Sequence, residues 1–272
     1  MCTMFDISRS AYYDWNNNGV GKEQLGGLEE LVQKEFEKSK HTYGSPRICK
    51  ALNNRGVAVS KSTVARAMKS LGIQARPRRK YVTTTDSTHN YLVFENILNR
   101  NFTSQQPNEK WTSDITYIPT ELGWTYLTVI LDLADKMIVA WTLSKNMAAK
   151  NTSSACLKLA IQRRKLTTKL IFHSDRGVQY CCQEFQELIK ANNQIVQSMS
   201  RKGNCWDNAP TESFFKTLKQ ECIHKSNFKN IYEARKSIFD YIERWYNTKR
   251  KHSALEYKSP LQYHYFLTHN LT

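Results

Sequence analysis

Three acidic residues in the middle of the chain could together carry out metal-assisted chemistry on a phosphate ester. Asp114 lies in an alternating stretch, Asp175 follows a short apolar stretch, and Glu212 lies early in a stretch of helical periodicity. Carboxylates that come together from three elements repel one another, and at neutral pH cations between them lower that cost. Their hard oxygens suit Mg²⁺ or Mn²⁺. Two such ions can activate a water or a 3′-hydroxyl and stabilise the leaving oxygen, so the pattern predicts a two-metal phosphoryl-transfer site.

The stretches around these acids predict a mixed β-sheet. Alternating or apolar stretches predict strands, and stripes at i, i+3 and i+4 predict helices. The order β-β-β-α-β-α-β-α predicts an α/β fold, a ribonuclease H-like mixed five-stranded sheet with helices on both faces. Residues at the carboxyl ends of adjacent strands converge, so Asp175 is expected to meet Asp114. The predicted strands are 111–118, 124–131, 137–143, 169–173 and 195–199, and the predicted helices between them are 146–163 and 184–192.

The third acid is predicted to lie in the first turn of a helix. Asp207 or Asn208 suits the N-cap, and Pro210 suits the first turn, which then contains Glu212. Asp207 is interpreted as this cap rather than as a metal ligand. The preceding Trp206 is interpreted as a core residue.

The stretch 43–73 has the pattern of a helix-turn-helix. Pro46 stands at the start of one helix, Gly56 ends it, and Ser60 caps a second helix. A recognition helix needs outward donors that reach phosphates and base edges. A helical hairpin with a solvated basic face is the alternative, and a following basic arm favours DNA binding. The outward residues are Lys61, Ser62, Arg66 and Lys69, and the arm contains Arg76, Arg78, Arg79 and Lys80.

The net charge of +16 is concentrated at the two ends of the 272-residue chain. Residues 1–80 contain 15 basic and 7 acidic residues, a net +8. Residues 81–212 contain 14 and 12, a net +2, and residues 213–272 contain 11 and 5, a net +6. Basic ends favour a polyanionic partner, most simply nucleic acid, over a generically basic soluble protein.

The remaining composition predicts a protein of the cytoplasm. The seven cysteines include no Cys-x-x-Cys pair, which argues against a zinc finger and fits reduced thiols. No apolar run is long enough to span a membrane, and the N-terminus lacks the apolar centre of a signal peptide.

Three motifs resemble those of one transposase family: HSDRGVQY at 173–180, SMSRKGNCWDNAPTESFFKTLK at 198–219 and YNTKRKHSALEYKSPLQY at 246–263. They are similar to the DDE transposases of bacterial insertion sequences. The most similar branch is the IS-three family, whose second reading frame encodes a retroviral-integrase-like core. The resemblance spans nearly the whole chain, including the helix-turn-helix stretch and ISRSAYYDW at 7–15.

The resemblance implies a catalytic triad of Asp114, Asp175 and Glu212 that holds two Mg²⁺ or Mn²⁺ ions. It implies cleavage at the end of the element and strand transfer into target DNA by the freed 3′-hydroxyl. The implied partners are the terminal repeats and target DNA, further copies of the chain on DNA, and the product of an upstream reading frame as a fusion or partner.

The predicted organisation has three parts. Residues 1–85 form a helical region with the helix-turn-helix and basic arm, 86–105 a linker, and 106–267 an integrase-type catalytic core with a C-terminal helix and a basic tail. The tail, 248–260, is interpreted either as a DNA contact or as a solvated segment. Its candidate contacts are Arg250 and Lys251.

Other residues near the acids have two interpretations each. His173 either lines the edge of the site or packs at a strand end, and Asp132 is interpreted as structural. The loop before Glu212 either contacts the DNA backbone or is merely solvated. The candidate DNA contacts in this loop and along the following helix are Arg201, Lys202, Asn204, Lys216 and Lys219.

Two departures from the family pattern bear on activity. Thirty-six residues separate Asp175 from Glu212, one more than is usual, and the extra residue is assigned to 191–196. Thr211 stands where an apolar residue is expected. One alternative is therefore a catalytically inactive or truncated element product that only binds DNA. A ribonuclease H-type nuclease acting on RNA hybrids is a weaker alternative, because the helix-turn-helix and basic tail argue against it.

Overall fold

The computed structural model describes Ser8 and residues 22–75 and 91–269. The short helix predicted at 7–15 and the basic arm at 76–80 lie outside these residues, apart from Ser8. The chain divides into two units, Met1–Pro77 and Arg78–Thr272. Among the described residues, no helix is long and apolar enough to cross a membrane.

The described residues of the N-terminal unit form three helices, α1 (Lys22–Lys38), α2 (Ser45–Asn53) and α3 (Lys61–Ser70). Gly56 follows α2 with a φ of +84°, a conformation that suits glycine. The Ser60 hydroxyl accepts a hydrogen bond of 3.1 Å from the Thr63 amide and so caps α3, as predicted.

The apolar stripes of these three helices form a small core, with their polar faces outward. The fully buried residues include Val32 on α1, Ile48 and Leu52 on α2, and Val64 and Ala67 on α3. The predicted outward residues of α3 are exposed and remain available to a partner: Lys61, Ser62, Arg66 and Lys69.

The second unit is built on a five-stranded sheet of order β3-β2-β1-β4-β5. The first three strands form an antiparallel meander, and β4 and β5 continue the sheet in parallel with β1. The strands are β1 (Lys110–Thr120), β2 (Gly123–Asp132), β3 (Ile138–Ser144), β4 (Leu170–Ser174) and β5 (Ile195–Met199).

Helices cover both faces of this sheet. The side chains of Thr112 and Ser113, consecutive residues of β1, point to opposite faces. Thr112 bonds to Thr211 on one helix, and Ser113 bonds to Tyr180 on another. The α-helices in the described part of this unit are α4 (Ser153–Arg163), α5 (Val178–Cys181), α6 (Gln183–Lys190), α7 (Ala209–Glu221), α8 (Ile231–Tyr241) and α9 (Pro260–His269).

The helix predicted at 146–163 is shorter in the structure. A 3₁₀ turn at Ala149–Asn151 precedes α4, which begins only at Ser153. Between them Thr152 has φ −118° and ψ −99°, outside the helical region, and its hydroxyl donates to the Ala148 carbonyl. The periodicity therefore predicts the helix and its end correctly, but a local hydrogen bond of the Thr152 side chain moves the start of the helix to Ser153.

The later part of the predicted linker packs on the core. Leu98 is 2% exposed, and its amide donates to the Ser198 hydroxyl next to the end of β5. Asn96 and Arg100 both bond to Asp207. This stretch, 96–100, is therefore a packed strap of the second unit, and the boundary of the domains remains a prediction.

The C-terminal helix forms as its sequence predicts. The Asn230 side chain accepts from the amides of Tyr232 and Glu233 at 2.9 and 3.1 Å, which caps α8. The Glu233 carboxylate returns to the Lys229 amide at 2.9 Å. The apolar side of α8 is buried, and a π-turn, Ile242–Tyr246, extends the helix.

Arg250 corrects one predicted DNA contact. Its side chain is only 5% exposed and binds the Glu221 carboxylate through two nitrogens, at 2.7 and 2.9 Å. The Tyr241 hydroxyl donates to the same carboxylate at 2.8 Å. Because this guanidinium is buried in an internal ion pair, it does not face solvent as a DNA contact would. Lys251, which is half-buried, keeps that interpretation as a prediction.

Arg250→Ala should lower the free energy of unfolding by about 3–5 kcal/mol, because it leaves the Glu221 carboxylate buried without its partner. The matched control Lys251→Ala should change it by no more than about 0.5 kcal/mol. Urea unfolding followed by circular dichroism measures both. Equal stability of the two variants would contradict the structural role of Arg250.

Candidate active site

Asp114 and Asp175 are neighbours across two parallel strands. The register pairs Thr112 of β1 with His173 of β4, and each acid lies two residues beyond this pair. Asp114 is in the middle of β1, whereas Asp175 follows the last residue of β4. The sheet alone thus places two half-buried carboxylates side by side.

The start of α7 is bonded to the same part of β1. The Asn208 amide group donates to the Ser113 carbonyl at 3.0 Å, and the hydroxyls of Thr211 and Thr112 bond at 2.7 Å. Glu212 follows Thr211 directly. Asp114 shares its strand face with Thr112, because side chains two apart on a strand point the same way. These bonds therefore bring Glu212 to the face that carries Asp114.

Thr211 also explains the departure from an apolar residue at that position. It is fully buried, and its hydroxyl has a partner of matching polarity on β1. A hydrogen-bonded pair satisfies both hydroxyls and fixes the distance between helix and strand.

The three acids perturb one another electrostatically. Burial, then Asp175, then Glu212 raise the pKa of Asp114, against a lowering effect of the Ile115 amide. Burial and then Asp175 raise the pKa of Glu212. Like charges brought together in a poorly solvated place favour the protonated form. The three carboxylates therefore form one electrostatic unit.

Two of the carboxylates are turned toward backbone donors. Asp114 Oδ1 accepts from the Ile115 amide at 2.8 Å, and Asp175 Oδ1 accepts from the Gly177 amide at 2.9 Å. Within 22–75 and 91–269, no three His, Cys, Asp or Glu side chains converge closely enough to hold one metal ion. The acids are thus close enough to repel one another, but their oxygens do not point at a common centre.

Tyr180 is a neutral, buried neighbour of these carboxylates. The single hydrogen of the Ser113 hydroxyl goes to the Val129 carbonyl at 2.9 Å, so the Tyr180 hydroxyl donates to Ser113 at 2.8 Å. Burial, then Asp114 and Asp175, raise the pKa of Tyr180 well above its usual value. Sequence reasoning missed this residue, although it lies in the HSDRGVQY motif.

Gly177 leaves space for the Asp175 carboxylate. A Cβ atom at this position would stand 3.0 Å from Asp175 Oδ1 and 3.2 Å from Gln179 Oε1. Its φ of −62° is open to any residue, so the requirement is for space and not for conformational freedom.

His173 and Asp132 have structural partners. The two ring nitrogens of His173 bond to the hydroxyls of Ser198 and Ser200, and burial lowers its pKa to about 4. Asp132 is fully buried and accepts from the Trp111 indole at 3.1 Å and from two backbone amides. The packing interpretation of His173 and the structural interpretation of Asp132 account for these contacts.

The loop before α7 overturns two predictions. Asp207 does not cap α7, because its carboxylate binds Arg201 and Arg100 at 2.7 Å each, and Arg201 lowers its pKa. Asn208 occupies the N-cap position instead, but its side chain is bonded to β1. Trp206, predicted to be core, is 68% exposed.

The proposed DNA contacts near the acids differ in their surroundings. Lys202 and Lys216 are exposed. Lys219 is half-buried, and burial lowers its pKa, an effect that the nearby Asp114 opposes. Asn204 accepts from Arg100 at 2.7 Å. These residues and the half-exposed Arg201 remain predictions as DNA contacts.

Comparisons with known proteins match both units. Models described as Integrase core domain match residues 104–205 and 193–260, and a model described as HTH-like domain matches 24–81. Transposase InsF for insertion sequence IS3A of Escherichia coli is 37% identical over 267 residues, which cover 97% of this chain and 92% of that protein. The 31 kDa protein of insertion element IS600 of Shigella sonnei is 38% identical over 262 residues and 96% of each chain.

A solved structure shares the fold. The simian T-cell lymphotropic virus intasome, in complex with a PP2A regulatory subunit, matches 86% of this chain and 74% of that chain, with a TM-score of 0.50 at 15% identity. The class is therefore an integrase-core protein of ribonuclease H-like fold, preceded by an HTH-like domain. The chain belongs to the IS3 family of insertion-sequence transposases.

The repulsion among the acids predicts a stability effect. In the folded protein without metal, the pKa of Asp114 is raised above its ordinary value of 3.8, and the pKa of Glu212 is raised above its ordinary value of 4.5. The folded protein therefore holds protons on these two acids more tightly than the unfolded chain does. Their contribution to stability should therefore be lost as pH rises through the raised values. Asp114→Asn should raise the melting temperature at pH 7 by a few degrees, since about 1 kcal/mol shifts it by roughly 2–4 °C in a chain of this size.

Differential scanning calorimetry without and with millimolar Mg²⁺ checks this effect. Mg²⁺ should raise the melting temperature of the wild type and have little effect on Asp114→Asn. The control Asp240→Asn removes an acid from an exposed i,i+4 pair with Arg244 and should respond to Mg²⁺ as the wild type does. A lower melting temperature for Asp114→Asn would argue against the repulsive cluster.

Proposed function

We propose that this transposase cleaves DNA at the ends of its insertion sequence and joins the freed 3′-hydroxyl to target DNA, in a metal-dependent DDE-type reaction. The observation that carries the proposal is the electrostatic unit of Asp114, Asp175 and Glu212, which three separate elements bring together. Integrase-core matches over both 104–205 and 193–260 support the same reaction class.

The donor set fits Mg²⁺ or Mn²⁺, because it consists of carboxylate oxygens whose mutual repulsion a divalent cation relieves. Asp114, whose pKa responds to both other acids, is the candidate to share two ions. Asp175 and Glu212 would each hold one of them. Bound ions would activate the attacking hydroxyl and stabilise the leaving oxygen.

The surrounding residues orient the acids for this role. The Gly177 amide donates to one oxygen of Asp175 and so fixes the orientation of this carboxylate. The bonds of Asn208 and Thr211 to β1 fix the first turn of α7. The raised pKa of Tyr180 keeps its hydroxyl protonated, so that it adds no further negative charge near the three acids.

DNA would approach along the basic residues of α7 and the loop before it. Lys216 and Lys219 follow Glu212 at i+4 and i+7, where an amino group can pair with phosphates next to the acids. The HTH-like domain would bind the terminal repeats through the outward face of α3. We place this activity on bacterial DNA in the cytoplasm, by several copies of the chain, with the product of an upstream reading frame as a fusion or partner.

Glu212→Gln should reduce Mg²⁺-dependent nicking of a terminal-repeat duplex by roughly three orders of magnitude or more, as expected when one member of a catalytic unit is lost. The matched control is Glu184→Gln, which changes an exposed glutamate in the first turn of α6. Gel electrophoresis of end-labelled DNA measures both. Undiminished nicking by Glu212→Gln would remove the proposed site, and binding without nicking by the wild type would favour the inactive alternative.

Gly177→Ala should reduce nicking about 10- to 100-fold while leaving the fold intact, because its methyl group would displace the Asp175 carboxylate by a few tenths of an ångström. The variant should need more Mg²⁺ for half-maximal activity. Its melting temperature should be near that of the wild type, since alanine can adopt this backbone conformation. Normal activity at limiting Mg²⁺ would show that the position of Asp175 does not depend on Gly177.

A further inference from the structure

Trp206 is a large apolar side chain that the fold does not use for packing. It is 68% exposed, whereas the next two residues, Asp207 and Asn208, are buried. An exposed tryptophan beside a catalytic centre presents a flat aromatic face to whatever occupies that centre.

The residues after Trp206 hold its backbone firmly. Asp207 binds the guanidinium groups of Arg100 and Arg201 at 2.7 Å and accepts from the Asn96 side chain at 2.9 Å. The Asn208 side chain is bonded to the Ser113 carbonyl. These contacts come from the strap before β1, from the loop itself and from β1, so the ring projects from a fixed support.

This support lies next to the acids. Asn208 contacts Ser113, which precedes Asp114 in β1. Trp206 is two residues before Asn208, and two Cα–Cα steps of about 3.8 Å span at most about 8 Å. DNA whose phosphate lies at the carboxylates is therefore within reach of the indole ring.

The surroundings of the ring are cationic and suit a nucleic acid. Two guanidinium groups share one carboxylate, and the side chains of Arg100 and Arg201 are 44% and 46% exposed. Lys202 is exposed in the same loop. Positive charge near a phosphate backbone, combined with an aromatic face, is the arrangement by which proteins hold unpaired bases.

We propose that Trp206 stacks on a nucleobase displaced from the duplex next to the scissile phosphate; this inference rests on the proposed function. The stacked base holds the DNA open at the cleavage position, so that the phosphate can reach the carboxylates. Trp206 is then a substrate-positioning residue of the strand-cleavage site, and the clamp of Asp207 with the two arginines keeps its ring in place.

The test is a binding measurement with a forked duplex that bears the terminal sequence of the insertion sequence and has unpaired bases at the cleavage position. A second duplex has abasic sites at those positions, and Ca²⁺ replaces Mg²⁺ to prevent cleavage. Trp206→Ala should bind the first duplex roughly 5- to 100-fold more weakly than the wild type does, the range for loss of one base–aromatic stack. It should bind the abasic duplex as the wild type does, and Trp206→Phe should retain most of the affinity.

The matched control is Trp124→Ala, which removes another exposed tryptophan. Trp124 is paired with Pro119, five residues along β1 from Asp114, or roughly 17 Å at about 3.4 Å per residue. This variant should bind both duplexes as the wild type does. With 2-aminopurine at the unpaired position, the wild type should quench its fluorescence and Trp206→Ala should not.

Equal affinity of Trp206→Ala and the wild type for the base-containing duplex would overturn the inference, as would an equal loss of affinity for both duplexes. Nicking by the wild type, measured in parallel with Mg²⁺, reports separately on the proposed function. If nicking is absent but the base-dependent difference in binding is present, the proposed reaction fails and the stacking contact stands.

Discussion

The mutual repulsion of three carboxylates is the constraint on which the rest of the catalytic unit depends. Burial and neighbouring charge raise the pKa values of Asp114 and Glu212, so their proximity costs free energy until cations are bound. Because the acids repel one another, contacts between other residues must keep them close. The β1–β4 register sets one pair, and two neutral hydrogen bonds between α7 and β1 bring the third acid. Neutral bonds suit this task because they do not change with metal or pH.

The loop before α7 is held in place by buried charges and also presents charged side chains to solvent. Asp207 is buried but stays ionised, because Arg201 holds its pKa down. A buried carboxylate shared by two guanidinium groups ties the strap before β1 to the loop more specifically than an apolar contact would. Half of each arginine side chain nevertheless faces solvent. The same ion cluster can therefore hold the loop and offer positive charge to DNA.

The fold and the acids follow from local sequence patterns, and the errors follow from distant partners. The alternation of β1, the apolar run of β4 and the helical periodicity of α7 are each encoded within about a dozen residues. The local sequence predicts that Asp207 is a helix cap, but its carboxylate binds Arg100, which is 107 residues away in the sequence. The local sequence likewise predicts that Arg250 is a surface charge, but it binds Glu221, which is 29 residues away. The size of Trp206 predicts a core residue, but it is exposed while the two residues that follow it are buried. Sequence periodicity contains no information about such pairs.

The spacing between the last two acids illustrates the difference between chain length and position. The additional residue was assigned to 191–196, and α6 ends at Lys190 while β5 starts at Ile195 in unbroken register with β4. Glu212 is positioned by Asn208 and Thr211 on β1, so the length of the earlier loop does not set its place. An insertion in an exposed connection is tolerated where both flanking elements have their own anchors. The hydrogen bonds of Asn208 and Thr211 keep the start of α7 beside the strand that contains Asp114. The longer spacing is therefore no physical argument for an inactive protein.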